Sequence, residues 1–503
     1  MENQFGTLSD KSQRGLSVVA LALVLGVAGD ALLRVTPWGI NVGLWMALLL
    51  VGGVGLVRWQ RISVAGEGEG LLVPVLFFAV AFAWRDSATL HLVNSAALFS
   101  LLALAILHYR SGQIRIAEVT DYTAKVSYAF GQTLSGSAPL LTTDIDWQEI
   151  PHSQWSGTAR ALARGAMFSL PLLWIFGTLL TSADAAFEQL ATAVFHWLFT
   201  EYLGHLFFIV VIAWLVGGLL RQMLITPEWQ PPAPKNREAK SLGVIEVTVM
   251  LGLLNALFLA FVWVQFRYFF GGSEAVTAVP GLTLAEYTRR GFFELVTVAA
   301  LVLPLLLVVH WLLRKEQPLH EQIFRGLAGT LIALLFVIMI SAVQRMWLYQ
   351  SQYGLTELRF YSTAFMGWLA VVFVWFSLTV LQGKRDHFAF GMLVSGIATA
   401  VLLNVVNPDA VIVRTNIDRE GAAASLDANY VTSLSADAVP TLFAVLPTLT
   451  EEKRRAVVDQ LLLRWSPPTT SDWRTWNWSR SRAWAEVTDY RAKRLGFTLR
   501  GEE

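Results

Sequence analysis

Apolar runs of roughly 17 to 25 residues recur along most of this chain, the length that a helix rising about 1.5 Å per residue needs to cross a bilayer core about 30 Å thick. They fall near 15–34, 37–57, 70–84, 87–108, 165–183, 201–220, 243–266, 290–313, 323–344, 360–381 and 387–406. The pattern predicts an all-α polytopic membrane protein with about 11 transmembrane helices. The run at 70–84 is the weakest, short and holding Pro74, and it enters the topology together with its neighbour. Polar interruptions divide the chain into a four-helix membrane part at 1–108, an insert at 109–164, a seven-helix membrane core at 165–406 and a soluble tail at 407–503. Within the insert, Val119, Tyr122, Val126, Phe130 and Thr133 recur at helical spacing, but Asp121, Lys125 and Gln132 would be costly in hydrocarbon. An amphipathic helix at the cytoplasmic interface is expected there.

Charge sets the orientation. Lys11 and Arg14 precede the first apolar run, which reads as a retained signal anchor. With the N-terminus cytoplasmic, every segment assigned to the cytoplasm carries at least two Lys or Arg, as the positive-inside bias asks. An odd number of spans then places the tail outside, as a small and mostly helical extracytoplasmic domain. Its "AVIVRTNI" (410–417) has the β-branched content of a short strand. Helices are expected near 436–446, near 451–465 behind Thr448 and Glu451 at capping-box spacing, and from about Ser481 to Leu495.

Composition narrows the chemistry. Hydrophobic residues make up 55% and charged residues 15%, against roughly 25% charged in soluble domains. A net charge of +1 gives no reason to expect nucleic acid, and the absence of cysteine removes disulfides, thiolate metal sites and cysteine nucleophiles. No Walker loop, dinucleotide fingerprint, G-x-S-x-G elbow or H-E-x-x-H pattern occurs, and no cofactor is expected.

What remains is a set of charges at the helix ends assigned to the outside: Asp30 and Arg34, Arg85 and Asp86, Glu201 and His205, Arg290 with Glu294, Arg345, and Glu357 with Arg359. Arginines at such ends commonly snorkel, which is the plain explanation. The sharper one is a shared outward-open cavity. Arg34, Arg85, Arg290, Arg345 and Arg359 would bind a lipid headgroup or a small anionic solute there, and Asp30 or Glu294 would be the weak candidates for catalysis. The clearest helix end is the one behind Thr283, with Glu286 at capping-box spacing. Glu201 and His205 at i,i+4 form a weak candidate metal face, too sparse to predict a metal site. Near the C-terminus, "DWRTWNWSRSRAW" (472–484) holds Trp473, Trp476, Trp478 and Trp484. These would form an aromatic clasp that packs the last helix onto its domain, or rest on outer headgroups.

Three stretches, "YTRRGFFELV" (287–296), "QYGLTELRFYSTAFMGWLA" (352–370) and "NPDAVIVRTNIDR" (407–419) continuing to "LDANYVTSLSADAVPTL" (426–442), resemble an uncharacterised bacterial membrane family, domain of unknown function 4173, grouped with the similar 4153 set. The resemblance runs from about residue 165 onward. It implies a bacterial inner-membrane protein whose external loops and tail form one module, and it carries over no catalytic residue. Three functions stay open: a sensor, scaffold or accessory protein of the cell envelope with protein partners on both faces; a transporter or flippase of lipid or small solute, suggested by Pro304, Asn255 and Asn404 within spans; and an outer-leaflet transferase using a lipid-phosphate-linked substrate, suggested by layout alone.

Overall fold

The computed structural model describes residues 9–61, 70–111, 119–147, 149, 156–189, 202–226, 242–270, 292–314, 317–419 and 426–494. Among them every regular element is helical and no β-strand occurs. The membrane part comprises α1 (Asp10–Leu33), α2 (Ile40–Trp59), α3 (Leu72–Trp84), α4 (Ala88–Ser111), α5 (Val119–Ser135), α6 (Ser156–Ala183), α7 (Gly204–Leu224), α8 (Val244–Phe270), α9 (Phe292–Leu312), α10 (Pro318–Tyr353), α11 (Glu357–Thr379) and α12 (Phe388–Val406). Among the described residues nine helices are long and apolar enough to cross a membrane: α1, α2, α4 and α7 to α12. Two of the expected runs are shorter as helices, namely α3 and the stretch Pro171–Ala183 of α6.

These helices build two cores. The first joins α1 to α5 with α7, around Val18, Met46, Phe78, Leu104 and Leu220. The second joins α8 to α11, around Leu251, Leu306, Leu335 and Phe373. Packing without a hydrophobic drive between helices depends on close backbone approach at small residues. Gly26 of α1 shows this, since a Cβ there would lie 2.7 Å from the Ile209 carbonyl oxygen and 2.9 Å from the Ala213 Cβ on α7. Gly53 on α2 would meet only Leu220 and Met223 side-chain atoms, at 3.5 Å and beyond. Gly26→Val should therefore wedge α1 from α7 and cost about 2 kcal/mol or more, whereas Gly53→Ala should be nearly silent; thermal unfolding of the two variants in detergent separates them.

Helix α5 lies along membrane helices. The Phe130 ring meets Phe99 of α4 edge-on at 5.7 Å, and Trp214 of α7 donates from Nε1 to the Leu134 carbonyl at 2.7 Å. The chain then turns, with Ser137 Oγ donating to the Trp214 carbonyl at 2.5 Å, and reaches Asp144. Asp144 pairs with Lys11 at 2.9 Å and Arg221 at 2.5 Å. Burial pushes the Asp144 carboxyl up, but the hydrogen bonds and charges of Arg221 and Lys11 outweigh it and hold the group below its usual range.

After α12 the chain folds into a compact helical unit: α13 (Pro408–Ile417), α14 (Ala428–Ser433), α15 (Val439–Val445), α16 (Glu451–Arg464) and α17 (Trp478–Arg494). The strand expected at 410–417 is absent, because this stretch is α13. Pro408 occupies the first turn, and the side chain of Asn407 caps it by accepting from the Ala410 N–H at 3.2 Å. Ile412 and Val413 are fully buried in the unit's core, so helix initiation and packing override β-propensity. Helix α16 starts at Thr450 without a side-chain cap, while Thr448 closes the preceding 3₁₀ turn, so the expected capping box does not form. Helix α10 is about 54 Å long at 1.5 Å per residue, longer than the roughly 30 Å a bilayer core requires. The turn after it, through Gly354 at φ 77°, places Leu355 in the core of the C-terminal unit. There Asn416 accepts from the Leu355 N–H at 2.5 Å and donates to its carbonyl at 2.9 Å.

Candidate functional site: a buried charge network under the C-terminal unit

Helix α3 ends at Trp84, and Arg85 leaves it in extended conformation, so Arg85, Asp86 and Ser87 form the tip leading into α4. Three orphaned helix ends and the α1–α2 turn converge on this tip, and each is satisfied by a side chain from far along the chain. Asp437, in the 3₁₀ turn Ala436–Ala438, accepts from the Asp86 N–H at 2.8 Å and the Ser87 N–H at 3.0 Å. It thereby caps the start of α4. Arg85 donates from Nε to the Asn404 carbonyl at 2.6 Å and from its guanidinium to Val405 at 3.3 Å, capping the end of α12, and it pairs with Asp437 at 3.3 Å. Asn477 donates to the carbonyls of Phe82 and Arg85, both at 2.8 Å, closing α3. Arg480 pairs with Asp86 at 2.5 Å and donates to the Trp38 carbonyl at 2.9 Å in the α1–α2 turn. Below this layer Asn94 and Asn404 exchange hydrogen bonds at 3.1 and 2.8 Å, both wholly buried.

The network ties the C-terminal helices to both cores. Through Arg480, Arg85 and Asn477 it holds the tips of α1–α2 and α3–α4, and through Asn416 and Leu355 it holds the tip of α10–α11. Its electrostatics are uneven. Burial pushes Asp86 up, although Arg480 opposes the rise. Asp409 is 1% exposed; it accepts from the Ser435 N–H at 3.1 Å and Oγ at 2.5 Å, and its Oδ1 has no hydrogen-bond partner among the described residues. Burial, with Asp437 and Glu357 nearby, raises Asp409 to about 6 against Ser435's opposing hydrogen bonds. Ser87 Oγ and Tyr361 Oη are also buried in the same region, where they face one another.

The residues singled out in the sequence are engaged by different elements. Asp30 meets His205 Nδ1 at 2.5 Å and Arg34 at 3.8 Å. Arg345 donates to Gln265 on α8. Arg359 donates to the Gly354 carbonyl at 2.6 Å and lies 4.3 Å over the Tyr349 ring. Glu294 sits in the first turn of α9, where a carboxylate favours the helix dipole. Arg290 and Glu201, like the helix start at Thr283 and Glu286, lie outside the described residues. Among the described residues no group of three or more metal-ligating side chains comes together. Asn255 donates to Leu327 on α10 at 3.0 Å and so joins two helices. Trp473, Trp476 and Trp478 are exposed, and Trp484 is half-buried on α17 between the buried Ala483 and Val487. An open groove of about 640 Å³ lies between Ala31–Leu32 and residues 470–474, and its charged pair, Asp472 and Arg474, is mutually satisfied at 2.5 Å. A second crevice, of about 430 Å³ and mostly apolar, follows the seam where α4 and α5 face α11 and α12.

Sequence reasoning found Arg85 and Asp86 but missed Asp437, Arg480, Asn477 and Asp409. Each of these has an ordinary helix-start or surface context, and only the fold carries Asp437 some 350 residues along the chain to Ser87. The weak signal available was stoichiometric: two adjacent charges at a tight tip need partners that the tip cannot supply.

The fold and network define a polytopic all-α membrane protein with a helical unit locked across one face. A family model described as Domain of unknown function (DUF4153) matches residues 72–444, well over half of the chain, and the chain belongs to that family. No curated protein and no solved structure matches it significantly.

Proposed function

We propose that the protein is a scaffold or accessory component of the bacterial cell envelope, with the N-terminus cytoplasmic, about eleven spans and the C-terminal unit held on the outer face as a rigid platform for a protein partner. The observation that carries the reading is that the charges of the α3–α4 tip are spent on capping helices and tying the C-terminal unit to both cores. Groups used in that way are not poised to turn over a substrate. The Lys/Arg bias of the loops supports the orientation, and reporter fusions after residues 220 and 503 test it, with cytoplasmic and external signals expected respectively.

Transport of a lipid or small solute is the second reading, favoured by the crevice of about 430 Å³ on the seam between the cores. Complementation of a deletion strain separates the two. The scaffold reading expects Asp30→Ala, His205→Ala and Arg345→Ala to complement at normal protein levels, and Asp437→Ala to fail. Loss of function at Asp30 or Arg345 in a folded, fully expressed protein would overturn it.

A further inference from the structure

The segment 473–478 lies against the ends of membrane helices. Arg474 donates to the Ala31 carbonyl at 2.6 Å, inside the last turn of α1, and the Ile40 N–H at the start of α2 donates to the Trp476 carbonyl at 2.8 Å. Asn477 reaches Phe82, inside the last turn of α3. The segment is thus fixed at the depth where three apolar helices end. At that depth Trp473 is 65%, Trp476 44% and Trp478 50% exposed, with Trp38 of the α1–α2 turn at 42%. Directly along the same helices run exposed apolar side chains: Val24 and Val27 on α1, Leu44 and Leu48 on α2, Val73 and Val80 on α3. Three exposed indoles, joined by Trp38, whose N–H donates to the Leu33 carbonyl at 3.0 Å and whose ring face stays partly open, end a surface of exposed apolar side chains.

From this geometry we infer that Trp38, Trp473, Trp476 and Trp478 form a lipid-binding edge of the C-terminal unit, seated in the headgroup and glycerol-ester zone of the leaflet on that unit's side. An indole suits this zone because its body is apolar and its N–H can bond to ester oxygens or water. The position of the rings at the ends of α1 to α3, helices that carry exposed apolar side chains, favours lipid over a protein partner. Arg474 is neutralised by Asp472, so the edge requires no anionic lipid. The unit is therefore fastened twice, by the buried ion pairs to the helices and by its tryptophans to the bilayer.

The absence of cysteine makes the test direct. Trp473→Cys, Trp476→Cys and Trp478→Cys are spin-labelled in phosphatidylcholine liposomes, with Leu463→Cys on α16, 85% exposed, as the aqueous reference. Access to a water-soluble nickel chelate several-fold lower at 473, 476 and 478 than at 463, with raised oxygen access, is the expected result. Chelate access equal to that at 463 overturns the inference. A second measurement needs no label: lipids brominated near the glycerol end should quench a smaller fraction of emission in the folded Trp473→Phe/Trp476→Phe/Trp478→Phe protein than in the parent, and an unchanged fraction would also sink the proposal.

Discussion

Asp437→Ala should release the C-terminal unit from the membrane helices and lower stability by about 3–5 kcal/mol, the usual cost of removing one partner from a buried ion pair. The carboxylate accepts from the Asp86 and Ser87 N–H groups, from Ser479 Oγ at 2.5 Å and from Arg85, so its loss strands a guanidinium that is itself nearly buried. It also uncaps α4, worth about 1 kcal/mol more. Removing the pair together is gentler. Arg85→Met/Asp437→Leu leaves no uncompensated charge and should recover part of the loss, though the carbonyls of Asn404 and Val405 stay uncapped. Thermal unfolding and limited proteolysis in detergent read the effect, with a protected C-terminal unit cut free in Asp437→Ala. Asp472→Ala, which breaks only the exposed local pair with Arg474, should change little. An Asp437→Ala protein that melts and resists protease like the parent would mean that the network does not hold the unit.

The membrane helices were legible because hydrocarbon imposes one requirement on every spanning residue. The expected runs at 37–57, 360–381 and 387–406 agree with α2, α11 and α12 to within three residues. Where a segment answers to tertiary partners instead, the pattern misleads. Residues 410–417 look like a strand one residue at a time, and only the Pro408 start and the burial of Ile412 and Val413 make them a helix. The candidate site was legible in half. Arg85 and Asp86 stand out because charge at an apolar helix end is unusual, whereas Asp437 and Arg480 sit among other polar residues and carry no such contrast. Shared depth at a membrane face, legible in the sequence, does not fix lateral position, which comes from helix packing; Asp30, Arg85, Arg345 and Arg359 each meet different partners.

Stability of the docked unit should fall as pH rises through about 6, and Asp409→Asn should remove most of that dependence. Asp409 goes from 3.8 in the unfolded chain to about 6 when buried against Asp437 and Glu357. A folded-state pKa above the unfolded value means that the native state binds the proton more tightly. Its contribution is complete below about 3.8, shrinks between there and 6, and is gone above 6, where a charged Asp409 is held with one oxygen unpartnered among the described residues. A rise of about two units corresponds to roughly 3 kcal/mol. Asparagine keeps an oxygen for the Ser435 N–H and hydroxyl without charge, so Asp409→Asn should match the parent near pH 4 and exceed it near pH 8. Asp86, also raised by burial, adds a slope of the same sign, and Asp144, lowered by Arg221 and Lys11, adds one of opposite sign at acid pH. The difference between parent and Asp409→Asn melting curves at each pH cancels both and isolates Asp409. A parent and variant separated by the same amount at pH 4 and pH 8 would show that Asp409 titrates no differently folded than unfolded, and that the serine bonds alone offset its burial.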